Sequence, residues 1–303
     1  MRWFETPNID FVGKKKTAYV LSGIFFIASL AIIFTKGLQY GIDFKGGSEF
    51  VYKFSEPVNT VELREMLTSP LGSAPEVKLF GSDDEVLIRT DNTAPKEEVQ
   101  VVIQNALDAN MPNLSYESES GSYISPRFGD DLKTGAMKSV AYAIAIIFLY
   151  IFIRFRNWTF SAGAVAALVH DVTITLGIFT LLNDLVSFNL LIDQNIIAAF
   201  LTIVGYSLND TVVVFDRIRE NSIVHKGMDF FAMVNRSLND TLSRTVITSL
   251  TTLFVVLVLF IFGGEVLKGL SFALIIGVVL GTYSSLFVAS PLVLELDKRA
   301  KKS

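Results

Sequence analysis

The sequence predicts a polytopic α-helical membrane protein with six transmembrane helices and one external α/β (ferredoxin-like) domain between helices 1 and 2. Hydrophobic residues make up 51% of the 303-residue chain, and charged residues only 18%. The mean hydropathy is +0.48, whereas a soluble domain carries about 25% charged residues. The predicted arrangement of helices and domain follows from six separate apolar runs and from one long acidic interval after the first run.

Each apolar run is close to the roughly 20 residues that a helix needs to cross a bilayer. The runs cover residues 17–34, 136–153, 162–182, 195–215, 245–262 and 270–292. The first follows the cluster "GKKK", as the apolar part of a signal peptide does, but no small-residue cleavage pattern comes after it. We therefore predict that residues 17–36 form an uncleaved first transmembrane helix.

The positions of lysine and arginine predict the orientation of these helices. Cations cluster at the N-terminus (Arg2 and residues 14–16), in alternate links, and at the C-terminus (Lys301 and Lys302 among them). With six spans all these clusters fall on one side, and cation-rich segments stay in the cytoplasm. Residues 1–16 and 297–303 are thus predicted to be cytoplasmic termini. Residues 216–244 are predicted to be a cytoplasmic link within the helical part, residues 132–296.

Residues 37–131 are predicted to form the external domain. The segment alternates like a half-buried strand in "SEFVYKF" and then opens a helix at "NTVELREML". Two short strands, "EVKLF" and "EVLIRT", flank the turn "GSDD", and a helix in "APKEEVQVVIQNALDAN" precedes a last strand in "LSYESESGSYI". The order β-α-β-β-α-β is typical of the ferredoxin-like motif.

The stretch "DFFAMVNRSLNDTLSR" lies in the predicted cytoplasmic link and has apolar residues at helical spacing. Two interpretations remain open at this point. It is either an interfacial helix lying on the membrane surface or an extension of the fifth span.

A carboxylate in the fourth span is the main candidate for function. Asp210 lies about fifteen residues into that span, roughly 22 Å from its external end at about 1.5 Å per residue. Tyr206 lies one turn earlier on the same face, and Asn209 is adjacent. In the fifth span, Arg244 and Thr248 share a face in the same way. Ionisable residues at membrane depth are costly and often mark an ion path, so Asp210 and Arg244 are predicted to couple to protons.

Other polar residues near the spans have a simpler alternative. His170 and Asp171 in the third span and Thr248 in the fifth are secondary candidates, because polar groups also join helices by packing and hydrogen bonds. Asp216 and Arg217 stand at the cytoplasmic end of the fourth span, where headgroup contact is a sufficient explanation.

The motif "YGIDFKGGSEF" follows the first span and contains Gly41, Asp43, Gly46 and Gly47. Its glycines permit a sharp turn or close backbone packing where the chain leaves the helix. A phosphate-binding loop is a poor alternative, because no GK[ST] sequence and no following helix are present.

Composition also excludes several classes of site. The chain has no cysteine and only two histidines, which are far apart in sequence, so a disulfide framework and a zinc site are not expected. We expect no cofactor, no metal, no nucleic-acid partner and no enzymatic activity. An intramembrane protease is disfavoured because no paired aspartates or Ser–His pair stand at a plausible depth.

These motifs together resemble the SecF family of bacterial protein-export subunits, within the resistance–nodulation–division superfamily. The resemblance covers nearly the whole chain and rests on "FVGKKK", "GIDFKGGSEF", "ALVHDV", "IVGYSLNDTVVVFDRIREN" and "LSRTVITSLTTL". It implies an accessory subunit that works with SecD and uses the proton gradient to promote preprotein translocation through SecYEG. Asp210 and Arg244 match the residues that matter for proton flow in that family.

The resemblance also implies a bacterial inner-membrane location, with YajC-like and YidC-like accessory proteins as further partners beside preproteins, protons and the lipid bilayer. Two other functions compete with this one. A proton-coupled small-molecule or lipid exporter of the same superfamily would usually need two large external insertions. A purely structural scaffold would leave Asp210 unexplained.

Overall fold

The computed structural model describes residues 7–183, 185–186 and 188–300. Arg2, Lys301 and Lys302, and with them the outermost parts of the two predicted termini, lie outside the described residues. The elements follow in the order α1 (Lys15–Lys36), α2 (Ile42–Lys45), β1 (Gly47–Phe54), α3 (Thr60–Leu71), β2 (Glu76–Phe80), β3 (Ser82–Thr90), α4 (Lys96–Asn110), β4 (Tyr116–Ile124), α5 (Pro126–Phe155), α6 (Trp158–Leu182), α7 (Gln194–Val224), α8 (Phe230–Phe262), α9 (Gly264–Ser284) and, after a π-helical segment (Ser285–Ala289), α10 (Ser290–Ala300).

Within the described part of the chain, six helices are long and apolar enough to cross a membrane, which confirms the predicted fold class. They are α1, α5, α6, α7, α8 and the continuous rod from Val266 to Ala300 that joins α9 to α10. We call the end of this bundle that carries the β-sheet the domain end. The opposite end, where residues 9–12 pack on α8, is called the terminal end.

Helices α5, α7 and α8 extend well beyond the predicted spans. Helix α5 begins at Pro126, with the Ser125 side chain accepting a hydrogen bond from the Phe128 N–H as an N-cap. Helices α7 and α8 reach far into the link predicted at residues 216–244, so that only residues 225–229 are non-helical between them. The "DFFAMVNRSLNDTLSR" segment is therefore an extension of the fifth span, and not a separate interfacial helix.

The domain formed by residues 37–131 has the predicted order of elements. Its four strands form an antiparallel sheet in the order β2-β3-β1-β4, and α3 packs against α4. Alternate residues of β1, namely Phe50, Tyr52 and Phe54, join the domain core with Leu63 of α3 and Ile103 of α4. The core is contained within the domain, because every buried residue in it belongs to β1, β3, α3 or α4.

The backbone just after α1 joins the domain end of the bundle directly. Tyr40 forms a parallel bridge with Ile192, which lies just before α7. The Gly41 N–H donates to Ile192 O (2.9 Å) and the Ile192 N–H donates to Gln39 O (2.8 Å). The segment that leads into the domain is thus tied to the N-terminus of the helix that carries Asp210.

Candidate functional site

Asp210 lies in the interior of the helical bundle, with only 3% of its surface exposed. Its hydrogen-bond donor within the described residues is the Ser249 hydroxyl of α8, at 3.3 Å from Oδ2. The Thr282 hydroxyl of α9 donates in turn to Ser249 Oγ (2.6 Å). Three helices therefore converge on this carboxyl group, and one long hydrogen bond is its polar contact.

Arg244 does not contact Asp210, although the two were predicted to form a site together. Arg244 is exposed and forms no salt bridge with any residue that the structure describes. It precedes Ser249 by five residues, which places it about 7.5 Å further toward the terminal end and about 140° around the helix. The direct partner of Asp210 on α8 is therefore a hydroxyl group.

The two neighbours of Asp210 on α7 differ in their surroundings. Asn209 is exposed on the outer surface of the bundle, and Tyr206 is half-buried. Within the described ranges, the buried Tyr206 hydroxyl has no hydrogen-bond partner. The Asn209 side chain thus points away from the bundle, at the same depth as the buried carboxyl group of Asp210.

Asp171 forms a second buried polar cluster, one turn of α7 away from the first. It is fully buried, and its Oδ2 accepts hydrogen bonds from Ser207 of α7 and Ser284 of α9, both at 2.7 Å. Its Oδ1 lies 2.9 Å from Nδ1 of His170. The His170 ring stacks with Phe26 and Tyr283, and among the described residues its Nε2 has no partner. Asp171 therefore joins α6, α7 and α9.

Three consecutive residues of α9, not recognised in the sequence, connect these clusters. Thr282 contacts Ser249 of α8, and Ser284 contacts Asp171 of α6. Between them, the Tyr283 hydroxyl lies 3.0 Å from Ser22 Oγ of α1 and donates to the Ala18 carbonyl. The π-helical segment begins directly after Ser284, and such segments are frequent at functional sites. The string "GTYSS" was the available signal, but hydroxyl residues in apolar helices are too common to single it out.

The remaining secondary candidates are Asp216 and Arg217, which lie toward the terminal end, and Thr248, which directly precedes Ser249. Asp216 pairs with Arg154 of α5 (2.8 Å), and Arg217 pairs with Asp240 of α8 (2.8 Å) and with Glu220 (2.8 Å). Thr248 is half-buried on α8, and its carbonyl accepts hydrogen bonds from two threonine hydroxyls of the next turn. The two ion pairs between helices hold α5, α7 and α8 together, whereas the hydrogen bonds at Thr248 lie within α8.

The glycine motif lies where the domain meets α5. A Cβ on Gly46 (φ +81°) would stand 2.7 Å from the Pro126 nitrogen, and one on Gly47 (φ +142°) would overlap the Thr90 carbonyl oxygen. Both positions therefore require glycine, for conformation and for space. Gly41 is the N-cap of α2, and its N–H is the group bonded to Ile192.

Asp43 of the same motif reaches the N-terminus of α7. Its Oδ2 accepts a hydrogen bond from the Gln194 N–H (3.1 Å), a position where the helix dipole favours a negative charge. The adjacent Asp193 is the N-cap of α7, with Oδ1 accepting from the Ile196 N–H (2.8 Å). Burial raises the pKa of Asp193 above its usual value, and the charge of Asp43 adds to this effect.

The described residues include no group of three or more His, Cys, Asp or Glu side chains arranged to hold a metal ion. The groups that line the two buried clusters are carboxyl, hydroxyl and imidazole groups. Such groups bind and release protons, and the two buried carboxyl groups are the ones that lie at membrane depth.

Comparison with known families gives two matches along the chain. The family described as "Protein export membrane protein SecD/SecF, C-terminal" matches residues 103–299. The family described as "SecD/SecF GG Motif" matches residues 31–58, which contain the glycine motif.

Curated relatives are similar over their whole length. The protein translocase subunit SecF of Rhodothermus marinus is 55% identical over 300 residues, covering 99% of this chain and 97% of the relative. That of Calditerrivibrio nitroreducens is 42% identical, with coverages of 97% and 96%.

Among solved structures, the crystal structure of SecDF, a translocon-associated membrane protein from Thermus thermophilus, matches with a TM-score of 0.81 at 34% identity. The match covers 99% of this chain and 40% of the SecDF chain. A SecDF structure in a super-membrane-facing form matches with a TM-score of 0.75 and the same coverages.

Proposed function

Because this chain belongs to the SecF family of protein-export membrane proteins, we propose that it couples proton passage to preprotein translocation. It is an accessory subunit of the Sec protein-export machinery. Its curated relatives are named as translocase subunits and not as enzymes. For the same reason the alternative, small-molecule or lipid export, is not favoured.

A SecD protein is the proposed partner. The SecDF chains that this chain matches, and of which it spans 40%, support SecD as the partner in the assembly. The further proposed partners are the SecYEG channel, its preproteins, and YajC-like and YidC-like accessory proteins. The proposed location is the bacterial inner membrane, with the terminal end in the cytoplasm, where positive charges are retained.

The difference between the two buried carboxyl groups supports Asp210 as the group that exchanges protons. Asp171 has two hydroxyl donors at 2.7 Å and a histidine nitrogen at 2.9 Å, so its oxygens are well provided with hydrogen bonds. Asp210 has one hydroxyl donor at 3.3 Å, which is near the limit of a hydrogen bond. A buried carboxyl group with so few contacts can change its protonation at a smaller cost in hydrogen bonds. Asp171 then positions α6, α7 and α9 around it.

Arg244 is proposed to adjust the proton affinity of Asp210 from a short distance. Desolvation favours the neutral carboxyl group, whereas a nearby guanidinium favours the charged one. A small displacement of α8 would change the balance, because Arg244 is not fixed by a salt bridge to any described residue. Moving one charge through 100 mV supplies about 2.3 kcal/mol, which corresponds to between one and two pKa units.

The route from this site to the external domain is proposed to follow α7. Its N-terminus is bonded to Asp43 and, through Ile192, to the segment around Gly41. A shift of α7 would therefore move the start of the domain, which gives a mechanical link between protonation and the domain.

Substitution of Asp210 tests the proposal. We expect Asp210→Asn to assemble with SecD and to lose the gradient-dependent stimulation of export, measured as export kinetics of a secreted protein in cells depleted of the native chain. Thr202→Val is the matched control on the same helix, because its hydroxyl is exposed and donates only to its own helix, at Ala198 O. Arg244→Ala should resemble Asp210→Asn. Wild-type export by Asp210→Asn in energised cells would refute the proton-coupling role.

A further inference from the structure

A groove on the outside of the bundle has the properties of a lipid-binding site. It encloses about 390 Å³ between α5 and α7, near the domain end, with α6 as its floor. This volume lies within the range of ordinary small-molecule sites, about 300–1,000 Å³. The groove is on the opposite side of α7 from Ser249 and is separate from the candidate proton site.

The walls of the groove are apolar and follow from helical spacing. Ala136, Val140 and Ile144 of α5 recur at intervals of four residues and face Phe200 and Val204 of α7, with Val172 of α6 between them. Helix α5 is otherwise little covered, since only 6% of the residues in its apolar window are buried. A groove of this kind in a membrane-spanning helix bundle lies open to the hydrocarbon phase.

One cation stands at the mouth of the groove. Lys133 lines its domain end, with Nζ 4.2 Å from the centre of the Tyr40 ring. Among the described residues Lys133 forms no salt bridge, so its charge is not neutralised by a carboxylate. A lysine and a tyrosine at such a position are typical of the boundary between hydrocarbon and headgroups.

The length of the groove fits the acyl chain of one membrane leaflet. From Lys133 to Ile144 helix α5 rises eleven residues, or about 16 Å at 1.5 Å per residue. The hydrocarbon core of a bilayer is about 30 Å thick, so that one leaflet contributes about 15 Å. An acyl chain that fills the groove therefore places its headgroup at Lys133.

We propose that this groove binds one acyl chain of an anionic phospholipid, with the lipid phosphate paired to Lys133. The ammonium group recognises the headgroup by charge, and the apolar walls bind the acyl chain by non-specific hydrophobic contact. The site does not depend on the proton-coupling role, because neither Asp210 nor Arg244 lines it.

Lipid retention by the purified full chain tests this site. Delipidated protein is titrated with phosphatidylglycerol or phosphatidylethanolamine in nanodiscs or mixed micelles, and bound lipid is counted by native mass spectrometry. We expect the wild type to prefer phosphatidylglycerol, and Lys133→Gln to lose that preference by about tenfold. Lys138→Gln is the matched control, since Lys138 is exposed on the same helix and does not line the groove.

A second pair of variants tests the walls. Ala143 lines the groove, whereas Ala145 is exposed on the same helix outside it. Ala143→Phe should abolish retention of both lipids, and Ala145→Phe should leave it unchanged. Equal lipid binding by Lys133→Gln, Ala143→Phe and their controls would overturn the proposal. The proposal would also be overturned if Ala143→Phe bound lipid like the wild type but recovered less SecD. That result would identify a helix of SecD as the occupant of the groove.

Discussion

Asp193 shows at the scale of one residue how the junction between the domain and α7 depends on protonation. Burial raises its pKa in the folded protein, and Asp43 reinforces the shift. Folding therefore disfavours the charged form of Asp193. As the pH falls through the raised pKa of the folded state, the folded chain binds a proton that the unfolded chain does not, and the folded state gains stability. We expect Asp193→Asn, which retains an N-cap oxygen, to have a higher melting temperature than the wild type at pH 7.

The difference in melting temperature between Asp193→Asn and wild type should shrink as the pH is lowered toward the acid range, because the wild-type carboxyl group then becomes neutral too. Thermal unfolding of the full chain at several pH values measures it. Asp83→Asn, at an exposed position of β3, controls for the general effect of removing a negative charge. A difference that grows on acidification would mean that the charged carboxylate is favoured in the folded state.

The sequence was informative about single residues where the chemistry was unusual for its setting. A carboxylate in the middle of an apolar run drew attention to Asp210 without any structure. Its partner Ser249, and Thr282 and Ser284 of α9, could not be identified in this way. Which face of a helix meets which neighbour depends on how the helices rotate and pack, and hydroxyl groups inside apolar helices are common.

At the scale of elements, the N-terminal segment is fixed to α8 by the side chains of Asn235 and Asn239. Asn239 Oδ1 accepts from the Ile9 N–H (2.8 Å), and its Nδ2 donates to Ile9 O (2.9 Å). Asn235 Oδ1 accepts from the N–H groups of Phe11 (2.8 Å) and Val12 (3.2 Å), and its Nδ2 donates to Ile9 O (3.1 Å). Each such bond contributes about 1 kcal/mol. We expect Asn235→Ala to speed amide hydrogen exchange at Phe11 and Val12 by between about ten- and a hundredfold.

Arg236→Ala is the control for this measurement, because Arg236 is the exposed neighbour of Asn235 and forms no salt bridge with a described residue. Exchange at the two amides should be unchanged in it. Equal protection in Asn235→Ala and wild type would mean that the burial of Phe11 and Val12 in the bundle core, and not the asparagine contacts, holds the segment.

Elements were predictable to the extent that their patterns were local. Alternation and capping residues gave the β-α-β-β-α-β order of the domain, and Asn59 caps α3 as its position suggested, accepting from the Val61 N–H. The lengths of α7 and α8 were not predictable from hydropathy, because a helix that leaves the membrane becomes polar without ending. Only the backbone of residues 225–229 marks the true connection.

At the scale of the whole molecule, the outside of the bundle carries polar residues that are unsuited to lipid. Asn209 and Arg244 are exposed in the single chain at the depth of the bundle, although polar groups that face hydrocarbon are costly. On α7, Asn209 shares its exposed face with Gly205 and Thr202, and small residues allow a second helix to approach closely in a membrane. This surface is consistent with the proposed SecD subunit covering it, and no sequence pattern alone distinguishes a covered face from a lipid-facing one.

Gly205→Leu tests that surface. A Cβ on Gly205 meets no atom within 4 Å in this chain, so the larger side chain leaves the fold of the isolated subunit intact but blocks a partner helix. We expect the melting temperature of the purified chain to be unchanged and the recovery of co-expressed SecD to fall by at least about tenfold. That fall corresponds to about 1.4 kcal/mol of lost association free energy. Gly23→Leu is the control, because Gly23 lies on α1 with equally open space around it. If both leucine variants recover SecD as the wild type does, the exposed face of α7 is not the contact with SecD, and Asn209 and Arg244 must be covered in another way.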